Sequence, residues 1–488
     1  TYLSQSRSEA VRDLATRALD LAQVLGASYA DVRIEWSEVQ TLVVKNGVVA
    51  EIDRADSQGF GVRVVVDGAW GFASSARLEP AEIDRVTALA VEVGRASALV
   101  RSRPVDLGPP VTSRGVYRTP VVRDPFGVSL DEKLRLLLSA DAAARSIKGV
   151  TVAETSLECV RVRKLFANSE GALVEQEIVE TGAGLEVLAV GDGEAQKRSY
   201  PNSFGRHQGT AGYEFVEGLD LVGNAPRVAE EAVRLLTADP CPTEVTTVIL
   251  DGTQMALQVH ESCGHPIELD RVFGEEASYA GTSFLTLEKR GSFRYGSEVV
   301  NITADATSPT GLGTYGWDDE GVPAQRVPIV TRGVFQNYLM SRETAARLGL
   351  PSNGCMRAEG WNRLPLIRMT NINLEPGPWR LEDLIADTDR GIFMATNKSW
   401  SIDDKRLNFQ FGTEIAWEIR NGKLGRMLKN PSYTGITPEF WRSCDAVCRE
   451  WRLWGVTNCG KGEPAQGMHV GHGAAPARFR NVQVGVVR

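Results

Sequence analysis

Five prolines, at 104, 109, 110, 120 and 125, fall among glycines, serines and arginines, and this breaker run limits what the chain can fold into. Proline fixes φ and lacks an amide hydrogen, so no long helix or inner strand runs through residues 101–125. The composition shifts again after Asp239-Pro240. The expected division is an N-terminal domain at 1–100, a linker at 101–125, a middle domain at 126–238 and a C-terminal domain at 239–488. A chain of 488 residues is in any case too long for one ordinary core, and its length suggests roughly three domains.

Periodicity assigns the expected elements. Val11, Leu14, Ala18, Leu21 and Leu25 recur at helical spacing, ended by Gly26. Runs at 31–36, 40–44 and 48–52 read as strands around an Asn46-Gly47 hairpin turn; 61–66 and 69–73 form a second hairpin on Asp67-Gly68. A helix over 80–97 completes an N-terminal α/β domain. The middle domain reads as α+β. Ser129-x-x-Glu132 is a capping box for a helix to 146, strands follow through 150–195 with a turn at 168–171, and a helix over 226–237 is opened by Pro226. The third segment reads as β-rich: strand 244–250, helix 252–264, then strands and loops. Its later helices are expected only near 342–348, 381–386 and 437–449, and Asn421-Gly422 marks another hairpin. The fold class is α+β.

Composition excludes several classes of partner. Hydrophobic residues at 42% and charged residues at 24% are those of a soluble globular protein, and a net charge of −8 argues against nucleic acid as the main partner. No stretch approaches the ~18–20 apolar residues that span a bilayer, and no signal-peptide pattern opens the sequence, so no membrane association and a cytoplasmic location are expected. Seven scattered cysteines, an odd number, suggest reduced thiols. Cys444 and Cys448 lie one turn apart on the expected last helix and read as two small buried side chains.

The chain has five histidines, and two flank a glutamate in His260-Glu261-Ser262-Cys263-Gly264-His265. Neutral imidazoles suit zinc, and a hydrolytic site needs three protein ligands and one open position, with a general base close by; Glu261 stands where that base belongs. On a regular helix at ~100° per residue, side chains five apart diverge by ~140°. Gly264 permits a loosened or π-bulged turn, and Pro266 disfavours helical geometry at His265, so the second ring can swing back. Candidates for a third ligand are Cys459, in a Gly-rich loop beside Lys461, and Glu268, His469 and His472. Cys263 reads as packing. A rival arrangement is a Cys–His protease, with Cys263 or Cys459 as nucleophile and His265 or His469 as base; it leaves Glu261 without a task.

The segment from His260 through Pro266 to Asp270 resembles the H-E-x-x-x-H motif of the TldD/PmbA metallopeptidases. Residues 59–75, GFGVRVVVDGAWGFASS, and 368–377, RMTNINLEPG, resemble other parts of that family, so that the likeness spans nearly the whole chain. Ser262-Cys263 and Pro266 depart from the pattern without removing a ligand. The resemblance implies a C-terminal metallopeptidase domain in which Cys459 is the third ligand beside His260 and His265, with one zinc ion per chain. It also implies a dimer enclosing the active site, which admits extended peptides and excludes folded proteins. The partner is a second copy or a homologous subunit lacking the metal motif, and this chain looks like the metal-bearing one.

Glu261 is then the expected base for attack on a peptide carbonyl, and a thiolate with two imidazoles favours zinc over iron or manganese. Arg357, Arg368 and His469 are polar candidates for contacting substrate, whereas Asp318-Asp319-Glu320 reads as a solvated loop. Two alternatives stand beside the peptidase: a dedicated amide-hydrolysing tailoring enzyme with one small peptide-like substrate, and a non-catalytic peptide-binding subunit with structural zinc.

Overall fold

The computed structural model describes residues 5–191 and 193–485. The first two segments, separate in sequence, share one eight-stranded sheet. Strand Tyr29–Lys45 pairs antiparallel with Val48–Val66 on one side and Val150–Asn168 on the other, from Asp31 opposite Asn168 to Lys45 opposite Glu154. Ala69–Ser75 lies outside the first of these, and Leu173–Gly191 and then Arg114–Arg118 lie outside the second. The segment expected as a linker therefore carries a strand, parallel to Leu173–Gly191, with its prolines flanking the strand. The runs expected at 48–52 and 61–66 form one strand, Val48–Val66. Its first eleven positions are exposed, so no buried face marks them in the sequence.

Local signals explain the turns and caps. Asn46-Gly47, Asp67-Gly68 and Asn421-Gly422 all have positive φ at both positions, +49/+78, +49/+73 and +47/+72, as two-residue hairpin turns of the mirror-image type require. Ser129 Oγ accepts from the Glu132 amide at 3.2 Å and caps Leu130–Arg145. Helix Leu221–Thr237 begins ahead of the expected Pro226, because Asp220 caps it by accepting from Gly223 N at 3.1 Å; Pro226 stands inside. Helices Gln5–Val24 and Pro80–Ala98 bury Ala15, Ala18, Val86 and Ala90 against Val32, Ile34, Val62 and Val64.

The C-terminal segment builds a second eight-stranded sheet. Its strands run Arg390–Ile402, Glu244–Leu250, Ala477–Val484, Ser432–Ile436 and Asn408–Arg420, and the last also pairs with the first, so that these strands close on themselves. Closure leaves no free edge among them. The helix expected over 437–449 stops at Arg442, and Cys444–Val447 is a strand against Ala477–Val484. Asp445 faces out toward Arg478 and Arg480 while Cys444 and Ala446 are buried, a period of two that replaces the expected helical one. Cys444 and Cys448 are buried as expected, but not one helical turn apart. No helix among the described residues is long and apolar enough to cross a membrane.

Buried charges fasten the two sheets together. Asp318, Asp319 and Glu320, expected in solvent, are only 2, 3 and 1% exposed. Two counter-charges come from the first sheet, Lys164 Nζ at 2.8 Å from Asp319 and Arg63 at 3.6 Å from Glu320, whereas Asp318 accepts from the amides of Glu320, Val322 and Met356. Arg342 forms a bidentate pair with Glu170 at 2.9 Å on each side. Arg198 links Glu231 at 2.9 Å to the fully buried Glu414 at 2.7 Å. Removing one partner of a buried pair strands the other charge. Arg198→Ala is expected to destabilise the protein by about 3–5 kcal/mol, seen as a lower unfolding midpoint in denaturant, because the fully buried Glu414 loses its directly paired cation and keeps its hydrogen bonds from Ser199.

Candidate metal centre

Helix Gly252–Val259 follows strand Glu244–Leu250 and is buried except at Leu257. Asp251 caps it, accepting from Gln254 N at 2.9 Å. Two of its buried amides are linked through one hydroxyl inside the closed sheet: Gln254 Nε2 donates to Tyr433 Oη, which donates to Gln258 Oε1, each at 2.8 Å. The helix ends in a π turn, His260–Gly264, where His265 N donates to His260 O at 3.2 Å. That i to i+5 bond widens the turn and sets the two imidazoles edge to face, with centroids 4.9 Å apart. Gly264 serves close packing here, since a Cβ would lie 2.3 Å from Met369 Sδ. Pro266 does not displace His265 from helical geometry, as had been expected: its φ and ψ are −68° and −44°. The widened turn alone brings the second ring back.

Cys459 arrives on the ribbon formed by Arg452–Lys461 and Gln466–Ala474. The register slips between Val456 and Cys459, so that Thr457 and Asn458 both stand opposite His469. This bulge re-aims the strand. Cys459 Sγ lies 3.9 Å from His265 Nε2, and the donor atoms of His260, His265 and Cys459, all buried, lie within 4.8 Å of one another. A single ion at ~2.0–2.3 Å from each donor spans that spread with modest closure.

Hydrogen bonds fix which ring nitrogen is free. The Ile372 carbonyl accepts from His472 Nδ1 at 3.2 Å, leaving His472 Nε2 as an acceptor for His260 Nδ1, 2.8 Å away. Glu268 Oε2 accepts from His265 Nδ1 at 3.0 Å. Both candidate ligands thus keep their Nε2 lone pair for an ion. Burial lowers the pKa of His260, His265 and His472, which favours neutral rings. Burial also pushes Cys241 up to about 11 and Cys263 and Cys355 to about 12. At Cys459 burial acts the same way, but His265 and Arg368 outweigh it and draw the thiol below its ordinary range. Two neutral imidazoles and one thiol poised to ionise fit zinc.

The remaining candidates take other places. Glu268 and His472, weighed as ligands, instead hydrogen-bond the rings of the candidate ligands His265 and His260, and Glu268 is steadied by the fully buried Lys461 at 3.4 Å. Arg368 is fully buried and donates to Gln466 O and to Cys459 O, so that it braces the ribbon. Arg357 and His469 line a neighbouring cavity of about 240 Å³, where His469 Nδ1 is 2.5 Å from Glu180. Glu261 lines the cavity of the three donors, about 470 Å³, and its Oε2 accepts from Arg406 Nη1. Arg406 gave no signal in the sequence, since it reaches Glu261 across 145 residues.

Comparisons with known proteins identify one family along most of the chain. Profiles of the PmbA/TldA metallopeptidases match residues 30–94 (domain 1), 123–238 (central domain) and 243–486 (C-terminal domain). The chain is 31% identical to a metalloprotease of Methanocaldococcus jannaschii, over 92% of this chain and 95% of that one. It is 26% identical to the metalloprotease TldD homolog of Haemophilus influenzae, over 96% and 94%. Among solved structures, TldE from Thermococcus kodakarensis has the same fold, with a TM-score of 0.77 and 17% identity over 98% of this chain and all of that one.

The link from Ile372 through His472 to His260 predicts that His472→Ala lowers zinc affinity about 10–100-fold, as loss of a ligand-orienting partner does elsewhere. Competition against a chromophoric chelator measures it.

Proposed function

The chain belongs to the PmbA/TldA metallopeptidase family, and on that premise we propose that it is a zinc peptidase acting on unfolded or small, extended peptides, with His260, His265 and Cys459 holding one zinc ion and Glu261 as general base. The observation that carries this reading is the convergence of the three donors with Glu261 on one cavity. When bound, zinc would supply Lewis-acid chemistry, polarising a carbonyl and acidifying water. The protein's own groups do the rest. Arg406 holds one oxygen of the Glu261 carboxylate, leaving Oε1 to take the proton of the attacking water and pass it to the leaving amine.

Residues 455–460 line the cavity as part of a ribbon of two strands. An extended peptide laid beside it meets backbone donors and acceptors, which tolerate many sequences. The active unit is a dimer enclosing this cavity, made with a second copy or a homologous chain; the fold shared with TldE supports the second form. The scattered, odd set of thiols is in keeping with work in the cytoplasm. A second reading draws on one observation, the approach of Cys459 Sγ to His265 Nε2, which a thiol hydrolase would also need.

The test uses an unstructured peptide, adding a homologous partner subunit where cleavage needs one. Glu261→Gln is expected to keep its zinc and lose about 10²–10⁴-fold in kcat. Cleavage at the wild-type rate would remove Glu261 from the mechanism. Chelation should abolish cleavage and added zinc restore it; cleavage that survives chelation but not alkylation would favour the thiol reading.

A further inference from the structure

Two aromatic rings stand open where burial would favour covering them. Phe204 and Trp400 are 50 and 42% exposed, and both line the cavity that holds His260, Glu261 and Cys459. Phe204 comes from the turn Ser203–Gly205 on the side of the first sheet, and Trp400 from strand Arg390–Ile402 of the second. Their rings meet edge to face, with centroids 6.0 Å apart and planes at 81°.

The backbone at Phe204 is held in the left-handed region, φ +60° and ψ +22°, which a side chain such as Phe rarely adopts. The turn is fixed on both sides. Asn202 Oδ1 accepts from Ser203 N at 2.8 Å, and Gly205 sits so close to the strand Leu173–Gly191 that a Cβ would lie 2.7 Å from the Leu185 carbonyl carbon. Lys197 Nζ lies 5.0 Å from the Phe204 ring centroid, yet the ring stays half exposed, so the strained backbone gains little for the core. Leu257, the one partly open residue of the helix leading to His260, and Val456 line the same cavity.

We propose that Phe204 and Trp400 form a subsite for a large apolar side chain, aromatic or branched aliphatic, of a substrate residue close to the scissile bond. The subsite rests on the peptidase reading and narrows it: backbone pairing along the ribbon tolerates sequence, and this slot selects within it. The slot is shared between the two sheets, so the substrate side chain sits at their seam. Aromatic contacts of this kind add to the area they bury.

The experiment compares peptides identical except for Phe or Gly, placed in turn at each position flanking the cut. The wild type should favour Phe at one position by about tenfold or more in kcat/KM. In Phe204→Ala and Trp400→Ala that ratio should fall toward one, whereas Trp400→Phe should keep most of it; zinc content and unfolding midpoint establish that each variant is folded. Affinities of the same peptides for Glu261→Gln, with and without Phe204→Ala, give a readout free of chemistry. A binding preference for Phe that Phe204→Ala removes would uphold the subsite even where no peptide is cut, in which case the hydrolase reading alone fails. No preference at any position in either assay, or a preference kept by both alanine variants, overturns the proposal.

Discussion

Two side chains five residues apart on a helix face one point only where a turn is widened, and the site depends on the single bond from His265 N to His260 O that widens it. The rest of the C-terminal domain holds that turn in place. The helix before it is anchored by Asp251 at its start and by Gln254 and Gln258 on Tyr433 along its length. Met369 packs where Gly264 has no side chain. His472 and Glu268 then fix the two rings about their own bonds, so that the free nitrogens are set before any ion arrives.

The cavity is a product of docking as much as of either sheet. Asn202, Phe204 and Arg206 reach it from the turn beside the first sheet, and His260, Arg406 and Cys459 from the C-terminal segment. What keeps these sides in register is a set of buried ion pairs rather than an apolar seam alone. Such pairs are a weak source of net stability but a strict source of alignment, because a shifted sheet would leave charges buried without partners. Asp319 with Lys164 and Arg342 with Glu170 work in this sense.

Much of this was legible in the sequence where the signal is local. Asn46-Gly47, Asp67-Gly68 and Asn421-Gly422 need positive φ at both residues, and the chain supplies the residues that adopt it. The paired histidines around Glu261 in a histidine-poor chain pointed to one centre, and the resemblance added Cys459, whose donor atom lies with theirs. What escaped depends on distant partners. An acidic run such as Asp318-Asp319-Glu320 looks solvated until Lys164 and Arg63 are brought to it. The helix over 437–449 looked continuous until strand Ala477–Val484 claimed Cys444–Val447. His472 could be weighed only as a ligand, since its task is set by Ile372 and His260, about a hundred and two hundred residues away.

The sheet shared by the first two segments has a bearing on how the chain is made. Strand Tyr29–Lys45 is an inner strand, and one of its neighbours is Val150–Asn168. As the polypeptide leaves the ribosome, that flank stays bare until residue 168 has emerged, roughly ten seconds at ~5–20 residues per second. An open strand edge is a template for misplaced pairing. Until then the nascent chain carries that open edge, and a fragment cut at the proline-rich segment would carry it permanently.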